Sequence, residues 1–346
     1  MSRALPILAI LLSGAPAFAD VVVDVQPGPG TDFAAQLGIS EQELESRLRT
    51  EIEELFNVVA PDEFVVQMAN AQGFSTKGIG VDYASNIENA VFGVAANLSL
   101  AVDSETISSD SDSRPVGGIA PQITIMAGVN LHGMNLPGLT LYGNFFTRNF
   151  NYRDFDATMR NAGVHLQINL FRPKPTKEDK VVKWGGFDLT TGVDWSYFKV
   201  GLDANLDTEF PVQGSGGQEA TILMTSVGEY SLTSSAFSVP LELTTTLRFL
   251  VLASVYFGVG TDFQVGSGEL AINLNSTLRG IDPNDGSTVD LGTAVIRANE
   301  EGKPSPARFR ALLGAQVNLW KFRIFAQVNY RPLAALGLAA GLRIAW

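Results

Sequence analysis

The run Leu336-Gly337-Leu338-Ala339-Ala340-Gly341-Leu342-Arg343-Ile344-Ala345-Trp346 alternates in polarity up to a final aromatic. Successive side chains of a strand point to opposite faces. Leu336, Leu338, Ala340, Leu342, Ile344 and Trp346 therefore share one face, and Gly337, Ala339, Gly341, Arg343 and Ala345 the other. A strand with one greasy face, running to a terminal tryptophan, suits a barrel wall in a membrane, where closure satisfies every backbone polar group. A soluble sandwich would rarely bury its terminal carboxylate beside a Trp.

The start of the chain agrees with export. Met1-Ser2-Arg3 is basic, Ala4 to Ser13 is apolar, and Ala17-Phe18-Ala19 is a small-x-small cleavage site, so residues 1–19 are expected to be a signal peptide cut after Ala19. No Cys follows the cut, which excludes a lipid anchor there, and no later segment has the ~20 apolar residues of a membrane helix. Cysteine is absent throughout, so neither disulfides nor thiolate metal sites are available. The net charge of −12 argues against a nucleic-acid partner.

Residues 20 to about 37, with Pro27-Gly28-Pro29-Gly30, read as irregular. A helix then begins at Ser40, whose capping box is completed by Glu43; Leu44, Leu48, Ile52, Leu55, Phe56 and Val59 form its apolar stripe. Pro61 opens a second helix with Phe64, Val65 and Met68 on one face, and Gly73 is expected to end it. The unit 20–75 is thus a helical preface, expected to be a small periplasmic unit packed against the barrel mouth, with a plug inside the lumen as the alternative.

The remainder, 76–346, is expected to be an all-β closed antiparallel transmembrane barrel. Alternating runs lie at 92–102, 123–131, 139–145, 164–170, 187–197, 237–243, 255–263, 270–274, 288–297, 313–319, 322–328 and 336–346. That makes about twelve strands, or fourteen if 76–84 or 219–232 contribute. The adjacent Tyr197 and Phe198 suggest a bulge. Both ends of such a barrel face the periplasm, so the strand number is even. The long polar connections 103–117 and 207–235 then fall outside, and the tight turns near 249–251 and 319–322 fall inside. The connection 172–183 is long for an inner turn. Phe145, Phe146, Phe150, Tyr152, Phe155, Trp184, Trp195, Trp320, Tyr330 and Trp346 lie near strand ends, as an aromatic girdle requires.

Over residues 89–346 the chain resembles bacterial outer-membrane β-barrels as a class. Gly341, Ile344 and Trp346 look like that class's membrane-insertion signal, a glycine, an apolar residue and a terminal aromatic; Ala339 stands where a polar residue is usual. The helical preface is similar in outline to transporters of the long-chain fatty-acid type. The resemblance implies residence in the outer membrane, with lipid, lipopolysaccharide and the barrel-assembly machinery as partners.

Chemistry is sparse. His132 sits in a polar turn. His165 shares a face with Gln167 and Asn169, and no strand offers a His-x-Ser pair. Ser109-Asp110-Ser111-Asp112-Ser113 lacks the spacing and glycine of a calcium loop. No cofactor, metal site or enzymatic activity is expected. The candidate lumen residues are His165, Asp188, Asp194, Glu242, Asp262, Arg310, Arg323 and Arg343, with Lys199, Asp203 and Arg248 beside them. Acids on one wall facing arginines on another would orient polar solutes in a narrow pore; alternatively the charges pair and fill a small barrel. The expected function is a channel or transporter for small solutes. The alternative is a structural or surface-interaction barrel with a closed lumen and functional outer loops.

Overall fold

The structure, a computed structural model, describes residues 21–28, 34–35, 37–56, 61–84, 87, 89–103, 117–173, 181–213, 219–250, 252–281 and 286–346. The expected leader 1–19, the acidic run 109–113 and most of the connections 103–117 and 172–183 lie outside them, as do the side chains of Leu55, Phe56 and Val59.

Twelve strands form one antiparallel sheet that closes in a ring. They are β1 (Val21–Pro27), β2 (Ala90–Val102), β3 (Gly117–Asn130), β4 (Leu139–Tyr152), β5 (Phe155–Phe171), β6 (Val182–Gln213), β7 (Glu219–Phe249), β8 (Ala253–Ile281), β9 (Thr288–Gly302), β10 (Ala307–Leu319), β11 (Phe322–Arg331) and β12 (Ala335–Ala345). The closed path runs β2-β3-β4-β5-β6-β7-β8-β10-β11-β12 and back to β2. β9 and β10 lie end to end along one edge of β8, Gly302 opposite Gly268 and Ala307 opposite Phe263. The link between them carries Pro304 and Pro306, which cannot donate to the ladder. Among the described residues β1 pairs only with β9. Twelve strands less β1 and β9 leaves ten in the ring, an even number, so Ala90 and Ala345 sit at the same end of the wall. That end is called the near end below.

The wall is polar inside and apolar outside. On β2, Ala95, Asn97, Ser99 and Ala101 are buried, while Phe92, Val94, Leu98 and Leu100 are exposed. Exposed Ile119, Ile123, Ile125, Leu313, Val317, Ile324, Leu338 and Leu342 continue the belt. Alternation produces both faces from one sequence pattern, and an outward apolar belt on a closed sheet is a transmembrane barrel.

Several expectations fail at the far end. Residues 207–235 are not a loop: β6 runs on to Gln213 and β7 returns from Glu219 in register. The runs 255–263 and 270–274 are one strand, β8. Residues 21–27, expected to be irregular, are β1. Tyr197 and Phe198 form no bulge, since the β5–β6 and β6–β7 registers run unbroken across them. The bulge is instead at Gly185-Gly186, between Trp184 and Phe187, where Gly186 has φ +95°. With the phase of β6 unbroken, Lys199 and Asp203 point away from the lumen, and Asp203 is exposed.

The far ends of β6–β9, with β1, form an open sheet whose polarity is the reverse of the wall's. Its inner face buries Phe198, Phe210, Val212, Ile222, Met224, Leu270, Ile272, Leu274, Ile296, Val23 and Val25 in one cluster with Leu44, Leu48 and Ile52. Those three belong to helix α1 (Glu41–Phe56), which Ser40 caps by accepting the Glu43 N–H at 3.2 Å. The outer face carries Asp207, Glu209, Glu229, Glu269, Asn273 and Asn275, all exposed. Phe146, Phe150 and Tyr152 share the parity of buried Tyr142 and Asn144, and Phe155 that of Met159, so these four aromatics are on the inner side and not in a lipid girdle.

Helix α2 (Pro61–Ser75) does not stop at Gly73 and does not sit at the mouth. It enters the ring, and the chain continues through it to residue 84, with Ile87 buried beyond. Phe64, Val65 and Met68 join the far cluster; Ala71 and Phe74 meet Ala101, Ala120 and Ala335; Ile79 meets Ala95, Phe325 and Ala339; Val81, Tyr83 and Ile87 meet Val91, Met126, Tyr142 and Ala345. The β2–β12 register places Ala335 opposite Ala101 and Ala345 opposite Val91, so these contacts descend the whole wall. The segment 76–84, weighed above as a possible strand, is turns and bends inside the lumen.

Candidate functional site

The site is the contact between this threaded segment and the lumen wall. It begins with the positions alternation assigns inward. Asp188 and Asp194 come from β6, Glu242 from β7 and Asp262 from β8; Arg310, Arg323 and Arg343 come from β10, β11 and β12. Acids thus occupy one continuous arc of the ring and arginines the next. Arg310 pairs directly with Glu242 and Asp262, while residues 76–84 stand between the acids and Arg323 and Arg343.

Lys77 meets the acidic arc. Its Nζ lies 3.2 Å from Asp194 Oδ2 and 3.5 Å from Asp262 Oδ1, and it donates to Ser238 Oγ at 2.7 Å. Its own carbonyl accepts from Asn97 Nδ2 at 2.9 Å and Asn329 Nδ2 at 3.2 Å. Asp82 meets the arginine arc: its carboxylate lies 3.2 Å from Arg343 Nη1 and 3.4 Å from Arg323 Nη1. Arg343 also donates to the Val81 carbonyl at 2.7 Å and stacks its guanidinium 3.6 Å above Phe325. Tyr83 Oη donates to Glu242 at 2.6 Å. Arg310 closes the circuit, bound to Glu242, to Asp262 at 2.8 Å and to Asn329 at 2.8 Å.

His165 Nε2 lies 3.0 Å from Asp194 Oδ1. Asp188 accepts from Asn169 at 2.7 Å, and Arg248 donates to the Ala84 carbonyl at 3.2 Å, both nearer the near-end mouth.

Lys77, Asp82 and Tyr83 went unassigned at the sequence level, though they link the two arcs. Their signal was a lysine and an aspartate set among Gly78, Gly80 and apolar residues, in a stretch without strand or helix period. Gly341, Ile344 and Trp346, expected as the insertion signal, lie on β12 and just after it. Gly341 faces inward with no room for a side chain, its would-be Cβ 2.4 Å from the Val94 carbonyl. Ile344 and Trp346 face outward, and the Trp346 carbonyl accepts from Ala90 N at 3.0 Å. His132 lies in an exposed 3₁₀ turn.

The threaded helix is also part of the wall. β3 and β4 pair only from Ile125–Phe145 to Asn130–Thr140. Beyond that point Asn161 Nδ2 donates to the Ile123 carbonyl at 2.5 Å, and Met68 Sδ receives the Ile119 N–H at 3.2 Å. α2 presses so close that a Cβ on Gly118 would stand 2.2 Å from the Gln67 backbone. A groove of about 480 Å³ lies elsewhere, on the lipid side of β10–β12 over Leu313, Ala326 and Ala340.

An outward apolar belt, a closed antiparallel ring and a charge-lined lumen define a β-barrel protein of the bacterial outer membrane. The chain belongs to the Lsa36-like family, whose model matches residues 19–346. Among solved structures it is similar to the translocator domain of the autotransporter NalP from Neisseria meningitidis, at 9% identity and a TM-score of 0.30, over 80% of this chain and 93% of that one. It is likewise similar to the transport unit of the autotransporter AIDA-I from Escherichia coli (9%, 0.32, 82% and 99%). A Pseudomonas aeruginosa FadL homologue is a third (11%, 0.26, 81% and 98%). No curated protein matches.

Proposed function

We propose that this is a closed-lumen outer-membrane barrel that works through the part standing clear of the membrane, as a structural or surface-interaction protein. One observation carries the reading: residues 64–84 are almost entirely buried inside the ring and pair with both charged arcs. Extracting them would break the Lys77 pairs with Asp194 and Asp262 and the Asp82 pairs with Arg323 and Arg343, and breaking a buried pair costs about 3–5 kcal/mol. α2 also satisfies a backbone donor of β3, so it completes the wall as well as filling it.

Gated uptake of a small solute is the second reading. It is favoured by buried polar atoms around the threaded segment that have no protein partner among the described residues, including both amide atoms of Gln72 and the Thr76 hydroxyl. Such groups fit a hydrated seam. Planar-bilayer recording separates the two. The intact protein should be silent, and a sustained open current from it would overturn the closed reading in favour of uptake. Export through the signal peptide, cleavage after Ala19 and recognition of Gly341, Ile344 and Trp346 by the barrel-assembly machinery belong to the same proposal. Trp346→Ser should sharply reduce the amount of inserted protein.

A further inference from the structure

We infer that the barrel carries its own N-terminal segment to the cell surface: residues 21–56 lie outside the cell, reached by passing through the lumen. The path is continuous in its contacts. α1 packs under the far sheet, α2 descends past Ala101 and Ala335, Ile79 sits at Ala95 and Ala339, and Ile87 reaches Val91 and Ala345. The chain then starts the wall, with Asn89 and Ala90 both donating to the Trp346 carbonyl at 3.0 Å. The described residues before 61 are therefore on the opposite side of the ring from the start of β2.

Which side faces out follows from the strands that extend beyond the wall and from the outer face they present. In barrels of this kind the turns on the periplasmic side are short and the excursions on the outer side long. At the near end β10 meets β11 through Trp320-Lys321 and β7 meets β8 through residues 250–252. At the far end β6, β7 and β8 are 32, 31 and 29 residues long, well beyond the 10–14 residues of β2, β3, β4, β11 and β12. The far sheet turns Asp207, Glu209, Glu269 and Asn273 outward, which is a face for water and not for lipid. β1 is the last strand of that sheet, paired from Val21–Ala298 to Pro27–Gly292. A chain that enters from the periplasm can occupy that position only by crossing the ring, and Lys77 and Asp82 then hold it there.

The absence of cysteine makes a direct test possible. Arg49→Cys on α1, Asn205→Cys on the far end of β6, and Met134→Cys and Lys321→Cys at the near end are four exposed sites. Each full-length variant is expressed in cells, checked for heat-shifted gel migration as evidence of folding, and treated with a membrane-impermeant maleimide. Arg49→Cys and Asn205→Cys should label on intact cells as fully as on lysed ones. Met134→Cys and Lys321→Cys should label only after the outer membrane is permeabilised. If Asn205→Cys labels on intact cells and Arg49→Cys does not, the segment has not crossed. If the near-end sites label and the far-end sites do not, the orientation is reversed. Failure of all four folded variants to label on intact cells contradicts surface display as well. None of these results depends on the bilayer recording, so an open current would leave the threading standing or falling on its own.

Discussion

The wall and the far sheet are built from the same strands, yet they obey opposite rules. Along β8 the outward residues run Phe257, Val259, Phe263, Val265 and then Glu269, Asn273, Asn275; the inward ones run Asp262, Gln264 and then Leu270, Ile272, Leu274. β6 and β7 change at the same level: Trp195, Phe237 and Val265 are neighbours in one ladder row, and Tyr197, Ser235 and Ser267 in the next. The backbone does not change across that line. What changes is what surrounds it: lipid outside and a charged segment inside below the line, water outside and α1 inside above it. A strand's polarity pattern therefore reports its surroundings and not its direction or its ends.

The contrast can be broken most severely at the lumen. Lys77→Met would leave Asp194 with His165 and Asp262 with Arg310 as their remaining ionic partners and should destabilise the folded barrel by up to about 3–5 kcal/mol, seen as a lower urea midpoint in detergent; an unchanged midpoint would mean that the threaded segment is not locked. Leu274, fully buried in the far sheet, should cost about 2–5 kcal/mol when cut to alanine. The loss should appear as protease sensitivity of the far sheet while the wall still shows heat-shifted migration; loss of both together would mean that the two regions unfold as one. A charge distinguishes the outer faces. Leu342→Arg places a cation against lipid and should cost roughly 2–4 kcal/mol of insertion. Asn275→Arg, outward on the same kind of strand but in water, should stay within about 0.5 kcal/mol. Equal costs at the two positions in urea refolding would put both in the same solvent.

Much of the wall was legible in the sequence, because alternation at Phe92–Val102, Ile123–Leu131 and Leu336–Trp346 maps directly onto one lipid face and one inner face. The helix start at Ser40 was equally plain. The far sheet was not. A shift of apolar residues from odd positions, Val259 and Phe263, to even ones, Leu270 and Ile272, looks like a turn when a single environment is assumed, and Gly266 and Gly268 reinforce that impression. The same assumption put Lys199 and Asp203 in the lumen. The inward charges of β6–β8 and β10–β12 could be placed by alternation, but not their partners. Lys77 and Asp82 lie in a glycine-broken stretch with no period, and nothing local says that it passes through a ring formed by residues far later in the chain.

Outward positions along β8 test the change of surroundings most directly. Single cysteines at Val259, Val265, Glu269 and Asn273, each carrying the same fluorophore, would be reconstituted in vesicles of brominated lipid. Quenching should be strong at Val259 and Val265 and absent at Glu269 and Asn273. Quenching that continued undiminished to Asn273 would place the far sheet in the membrane and contradict the account.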